Sequence, residues 1–175
     1  LDVNGNAVWL KTYPYGTWPN NAYAIQQASD GSYIVAGTNG NIGFSAGWIL
    51  NLDGDGDILW QKAYEGVTEF ESIQQTTDGG YVAAGPVVVN AQGSTDIVIV
   101  KLTSAGNIVW AKQYDLADQG DDVVFLQTDD GGYILTVNAT PNDNIDIYVL
   151  KLDSNGDSIW QKSYGNADDN AAYSI

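Results

Sequence analysis

Four tryptophans keep time in this chain. Trp9, Trp60, Trp110 and Trp160 stand 51, 50 and 50 residues apart, each closing a stretch of the same design: "LDVNGNAVW", "LDGDGDILW", "LTSAGNIVW" and "LDSNGDSIW". Each is followed by Lys two positions on and Tyr two further: "WLKTY", "WQKAY", "WAKQY" and "WQKSY". A second block keeps phase with the first: "AIQQASDGSYIVAG" (24–37), "SIQQTTDGGYVAAG" (72–85) and "VFLQTDDGGYILTV" (124–137). A third reads "GWILNL", "DIVIVKL" and "DIYVLKL". Self-similarity at a fixed period of this length means one supersecondary unit copied several times, which constrains the fold more than any composition can.

The unit reads as four strands. Two short apolar pieces, such as Ser72–Thr76 and Tyr81–Gly85, flank Asp-Gly, a dipeptide that accepts the positive φ angles of a tight hairpin turn. The third piece, such as Asp96–Leu102, is a nearly continuous apolar run, as expected of a strand covered on both faces. The fourth carries the tryptophan and then alternates, with Lys and Tyr two residues apart on one side. Four strands in about 50 residues joined by short turns describe a blade of a β-propeller. The expected architecture is all-β: four-stranded antiparallel blades over about 21–64, 68–114 and 120–164, with partial blades at 1–20 and 165–175 forming one propeller segment.

"LDGDGDILW" (52–60) raises a metal question, because Asp53, Asp55 and Asp57 crowd five positions. Asn51-x-Asp53-x-Asp55-Gly56 matches the opening of an EF-hand loop, but the twelfth position is Lys62 and no helices flank it. In the other units the same slots hold Thr103, Ala105 and Asn107, then Asp153, Asn155 and Asp157. What persists is Gly at the fourth position after Leu, beside Asn or Asp, which is the chemistry of a β-turn ending in a left-handed residue. The expectation is a structural turn with no cofactor; a calcium site on Asp53, Asp55 and Asp57 is the alternative.

Composition closes several routes. The 22 acidic residues against 6 lysines give a net charge of −16, with no histidine and no cysteine. Phosphate backbones need Lys and Arg, so nucleic acid is excluded as a partner class, and anionic membrane surfaces are disfavoured on the same ground. No run of 18 apolar residues offers a membrane span, and no charged-then-apolar leader opens the segment. Ser–His and Cys–His nucleophiles and the usual zinc ligands are missing with His and Cys. Paired carboxylates for glycan cleavage remain, at Glu69 with Glu71, Asp121 with Asp122, or Asp168 with Asp169. They recur at one place in the repeat, which reads as a solvated acidic loop rather than a catalytic pair.

The pattern DGGYIVAG followed by DIVIVKLDSNG, three residues, then WQK and YG resembles the β-propeller repeats of secreted and surface proteins of bacteria and archaea. That resemblance covers essentially the whole chain and implies a non-catalytic scaffold or adhesive module, outside the cell or on its surface. A fainter similarity links the Leu-Asp turn, Gly and Trp to the tryptophan-docking repeats of quinoprotein dehydrogenases and outer-membrane assembly propellers; here Asp153–Gly156 is one residue shorter. Trp9, Trp60, Trp110 and Trp160 are accordingly expected to pack blades.

Residues that do not repeat are the better binding candidates. "YPYGTWPN" brings Tyr15 and Trp18, and "GNIGFSAGW" adds Phe44 and Trp48; such rings either stack on a glycan or a protein partner, or fill the gap between blades. "NAT" at Asn138 fits a glycosylation sequon. The function expected is a binding scaffold; the competing reading is a carbohydrate-active or calcium-dependent enzyme on the acidic loops. The expected partners are the chain itself or further propeller blades, with a glycan or surface protein as others. Leu1 falls at the turn before a fourth strand and Ile175 in a first strand, so open blades are expected to be completed by further sequence or by neighbouring copies.

Overall fold

The computed structural model describes residues 3–17, 19–41, 44–90, 93–116, 120–139, 145–165 and 170–172, with only the backbone at 41, 44, 120 and 121. Twelve strands form three sheets of four, and the described residues include no helix. The first sheet is β1 (Asn20–Gln27), β2 (Tyr33–Asn41), β3 (Phe44–Leu52) and β4 (Ile58–Tyr64). The second is β5 (Ser72–Gln75), β6 (Tyr81–Val88), β7 (Thr95–Leu102) and β8 (Ile108–Tyr114). The third is β9 (Gly120–Gln127), β10 (Tyr133–Ala139), β11 (Asp146–Leu152) and β12 (Ser158–Tyr164). All ladders are antiparallel and join consecutive strands.

Why these strands pair as they do follows from the turns. Within Thr76–Gly80 only Gly79 takes positive φ; Asp78 keeps an ordinary backbone and uses its carboxylate instead, accepting from the Gly80 N–H at 3.0 Å. The Asp-Gly pair is therefore a looped hairpin with an Asx contact, not the two-residue turn that the dipeptide alone suggests. The Lys101 ammonium, 8% exposed, meets Asp78 at 2.9 Å, and Lys151 meets Asp130 at 3.0 Å in the third sheet. Burial works against the Asp78 carboxylate, yet the hydrogen bonds from Thr76, Lys101 and Gly80 outweigh it and hold its pKa at about 2. Asp130 is pulled well below the carboxylate range by Thr128, then Lys151 and Gly132.

These two carboxylates bind protons less readily folded than unfolded. Their stabilisation is complete above the unfolded pKa of about 4 and fades as pH falls towards about 2. We predict that urea midpoints of the native chain drop steeply between those values, and that Asp78→Asn with Asp130→Asn flattens the drop. An equally steep loss in the double variant would place the acid-sensitive groups elsewhere.

The core lies between sheets. Ile34, Ala36 and Ile49 of the first sheet meet Ile73, Tyr81, Ala83, Val98, Val100 and Leu102 of the second. Val82, Ala84, Ile97 and Ile99 meet Phe125, Tyr133, Leu135, Leu150 and Leu152 of the third. Phe70, in the link between the first two sheets, is wholly buried and lies edge-on to Tyr64 at 5.6 Å. The second sheet is thus apolar on both faces, which accounts for the unbroken hydrophobic run of β7. The first sheet's other face (Val35, Trp48, Leu50, Leu52) is covered by Tyr13 and Tyr15 of a segment in no sheet.

Candidate functional site

The repeated Trp, Lys and Tyr do one job three times. From β4, the Trp60 indole N–H donates to the Ser104 carbonyl at 3.1 Å, and the Tyr64 hydroxyl donates to the Gly106 carbonyl at 2.9 Å. Lys62 donates to the Ala105 carbonyl and the Asn107 side chain, both at 2.8 Å. All four acceptors lie on the β7–β8 turn of the next sheet. From β8, Tyr114 reaches the Gly156 carbonyl at 2.6 Å, and Lys112 pairs with Asp157 at 2.6 Å. From the N-terminal segment, Trp9 reaches Gly54, Tyr13 reaches Gly56 at 2.9 Å, and Lys11 pairs with Asp57 at 2.6 Å.

Each ring also packs edge-on against the tyrosine that opens the next unit's second strand. The pairs are Trp9–Tyr33 at 6.4 Å, Trp60–Tyr81 at 6.2 Å and Trp110–Tyr133 at 6.0 Å. Contacts of this geometry add about 0.5–1.5 kcal/mol beyond area burial. Burial pushes the Tyr64, Tyr114 and Tyr13 phenols above their usual range, so each stays a neutral O–H donor.

The turn is shaped to receive this clamp. Gly56, Gly106 and Gly156 sit at φ of 76°, 69° and 78°, where an L side chain is strained. A Cβ there would stand 3.0, 2.7 and 2.9 Å from the rings of Trp9, Trp60 and Trp110. Asp53 caps its own turn, its carboxylate accepting from the Asp55 and Asp57 N–H groups at 3.0 and 2.8 Å; Asp153 does the same for Asn155 and Asp157. Asp57 holds Lys11. Asp53 and Asp153 build their turns and Asp57 and Asp157 accept from the clamp lysines, and no three metal-ligating side chains gather among the described residues.

The other sequence candidates fall as follows. Trp48 is 3% exposed, and its indole Nε1 has no partner; Tyr15 packs against the same cluster. Phe44 opens β3, its side chain outside the description, and Trp18 lies outside the described residues, as do Asp168 and Asp169. Trp60 and Trp110 are half-buried, while Trp9 and Trp160 are the more open members of the set. The Glu71 carboxylate accepts from the Val123 N–H at 2.8 Å, tying the second sheet to the third, and Asp122, at φ 57°, accepts from Asn138. Asn138 overturns the sequon reading: it is buried, and its amide exchanges hydrogen bonds with Ala172 at 3.0 and 2.8 Å.

A row of glutamines went unread in the sequence. Gln26 and Gln74 accept from the backbone N–H of Gln75 and Gln127 at 2.6 and 2.7 Å; Gln75 and Gln127 accept in return from Ser29 and Thr77 at 2.8 and 3.0 Å. The in-phase "QQ" pairs were the available signal.

One copy of the clamp is open. Trp160, Lys162 and Tyr164 lie on β12, exposed along its whole length, with Lys162 over the Trp160 ring at 5.5 Å. One glycine of the turn set is open as well: Gly5, at φ 83°, would bring a Cβ within 4 Å of nothing.

Neither a protein-family model nor a curated protein matches the chain. Among solved structures, a protein of unknown function from Bacteroides caccae is 14% identical over 94% of this chain and 73% of that one, with a TM-score of 0.36. Neither fold nor function is carried over from it.

Proposed function

We propose that the chain is a non-catalytic β-propeller scaffold, extracellular or on a cell surface, whose sheets are blades and whose partners are further units of its own kind. The carrying observation is the open clamp on β12: three groups that elsewhere each find a turn of a neighbouring unit stand here facing solvent. The same motif joins one unit to the next elsewhere in the chain, which supports partners built from units of this kind. The exposed Trp160 and Tyr164 rings also suit recognition, since aromatic anchors dominate interface energies. A scaffold role is supported further by Glu71, in the link before β5, and Asp122, on β9, which spend their carboxylates on structural hydrogen bonds.

The test is association. Light scattering of the native chain should show mass rising with protein concentration, more readily at 0.15 M salt than at about 0.01 M, because the Debye length shrinks from about 30 to 8 Å and the net −16 charge is screened. Trp160→Ala should return it to a monomer. A native chain monomeric at all concentrations, or association indifferent to Trp160, would sink the reading.

A further inference from the structure

We propose that the first unit binds a monovalent metal cation where the second and third units hold a lysine ammonium. The ion sits among Asp30, Ser32 and Asn51, at the junction with Tyr81 of the second sheet.

Two units show what the place is built for. Lys101 donates to the Asp78 oxygens at 3.0 and 2.9 Å and to the Leu102 carbonyl at 3.1 Å. Lys151 reaches Asp130 at 3.0 Å, the Thr128 hydroxyl at 2.9 Å and the Leu152 carbonyl at 3.2 Å. Each cradle sets one carboxylate and neutral oxygens around a single positive charge. The first unit keeps Asp30 and Leu52 at the same repeat positions, but Asn51 replaces the lysine. Asn51 pairs with Ile34 as Lys101 pairs with Val82 and Lys151 with Ile134. Its amide therefore leaves the sheet from the lysine's place and on the lysine's face.

The exchange is a coupled one. Ser32 holds the position of Gly80 and Gly132, where a Cβ would come 2.6 and 2.7 Å from the lysine Nζ. Lysine and serine exclude each other there, so the first unit has given up an ammonium and gained two oxygens, one from the amide and one from the hydroxyl. Its anion has not been given up: the four ion pairs among the described residues leave Asp30 out. Ala28 also removes the hydroxyl that Thr76 and Thr128 offer the other two carboxylates.

The oxygens themselves call for a ligand. Asn51, 3% exposed, donates through Nδ2 to the Tyr81 hydroxyl at 2.9 Å, while its Oδ1 is buried with no hydrogen-bond partner. The Ser32 N–H donates to Asp30 at 3.0 Å. The Ser32 hydroxyl, also buried, lies near enough to Asp30 and Tyr81 to lower the pKa of each, yet is aligned for a hydrogen bond with neither. Burial raises the Tyr81 phenol, and the Asp30 charge raises it further, so the four groups share one neighbourhood. A buried acceptor left unpaired bears its whole desolvation penalty; one cation serves both oxygens and balances the carboxylate. A single carboxylate matches a single charge, whereas calcium sites add anionic ligands, and no three carboxylates gather to hold a metal among the described residues. Turning the Asn51 amide over would instead pair Oδ1 with the Tyr81 O–H and leave no ligand for an ion.

Urea unfolding in potassium, sodium or tetramethylammonium chloride tests the site. All three are held at an ionic strength of about 0.15 M, so the net −16 charge is screened equally. The expected unfolding constant is about tenfold lower in potassium or sodium than in tetramethylammonium, as for an ion at about ten times its dissociation constant. Whichever of the two metals stabilises more is the better occupant. Asp30→Asn should erase the difference. So should Ser32→Gly with Asn51→Lys, which installs the ammonium of the other units; circular dichroism shows which variants keep the native strand content, and either one suffices. Equal stability of the native chain in all three salts would overturn the site in favour of the turned amide. A difference that survives in a folded variant would put the ion elsewhere and overturn it as well. Calcium acting more strongly than potassium at the same ionic strength, and only while Asp30 is present, would overturn the monovalent assignment.

Discussion

Replacing Phe70 with alanine should lower the stability of the chain by about 3–5 kcal/mol, the range for emptying a large buried aromatic site. The ring is completely buried, edge-on to Tyr64, and set so closely on Gly47 that a Cβ there would lie 2.7 Å from it. The walls around it cannot easily close in. The Phe70 N–H donates to the Gly37 carbonyl at 3.0 Å, and the Gly47 N–H to the Val67 carbonyl at 2.8 Å, fixing the link to the sheet it crosses. A cavity that cannot collapse costs both the transfer of the ring and the lost dispersion contacts of its lining. Urea unfolding should show the midpoint moved and the slope kept. A loss under about 1.5 kcal/mol would mean that the junction repacks around the hole.

The second large effect is a contrast within one motif. Trp110→Ala should cost about 2–3 kcal/mol, less than a fully enclosed tryptophan because the ring is only half-buried. It loses the Tyr133 contact at 6.0 Å and uncovers Gly156. Trp160→Ala, the same residue one unit later, should stay within about 0.5 kcal/mol in dilute solution, as for a surface site whose described ring contact is Lys162 of its own strand. Thermal melts of the two variants side by side decide the matter. Equal costs would show that the ring stabilises its own strand rather than the junction, and the clamp would lose its meaning.

Much of this was legible because the repeat supplies its own controls. Comparing Asp53, Asp55 and Asp57 with Thr103, Ala105 and Asn107 pointed to a turn, and the structure shows Asp53 capping that turn. Four strands per unit were readable from period-2 alternation and turn residues, and three four-stranded sheets are observed. The shared side of Lys and Tyr was readable as well. Their target was not, because alternation tells which residues face together but nothing about which backbone lies opposite. The glutamines were opaque for a related reason: Gln74 and Gln127 meet only when two sheets stand side by side. Asn138 shows the converse error, a local sequence match overruled by burial.

In the second sheet, β5 touches both β1 and β9, while every ladder joins strands adjacent in sequence. Chain entropy is therefore recovered over short loops, unit by unit, before any distant segment has to be found. Cooperativity runs through nearest neighbours only, like a row of coupled spins. A change at one junction should then be felt first in the sheet beside it and fade with each further unit.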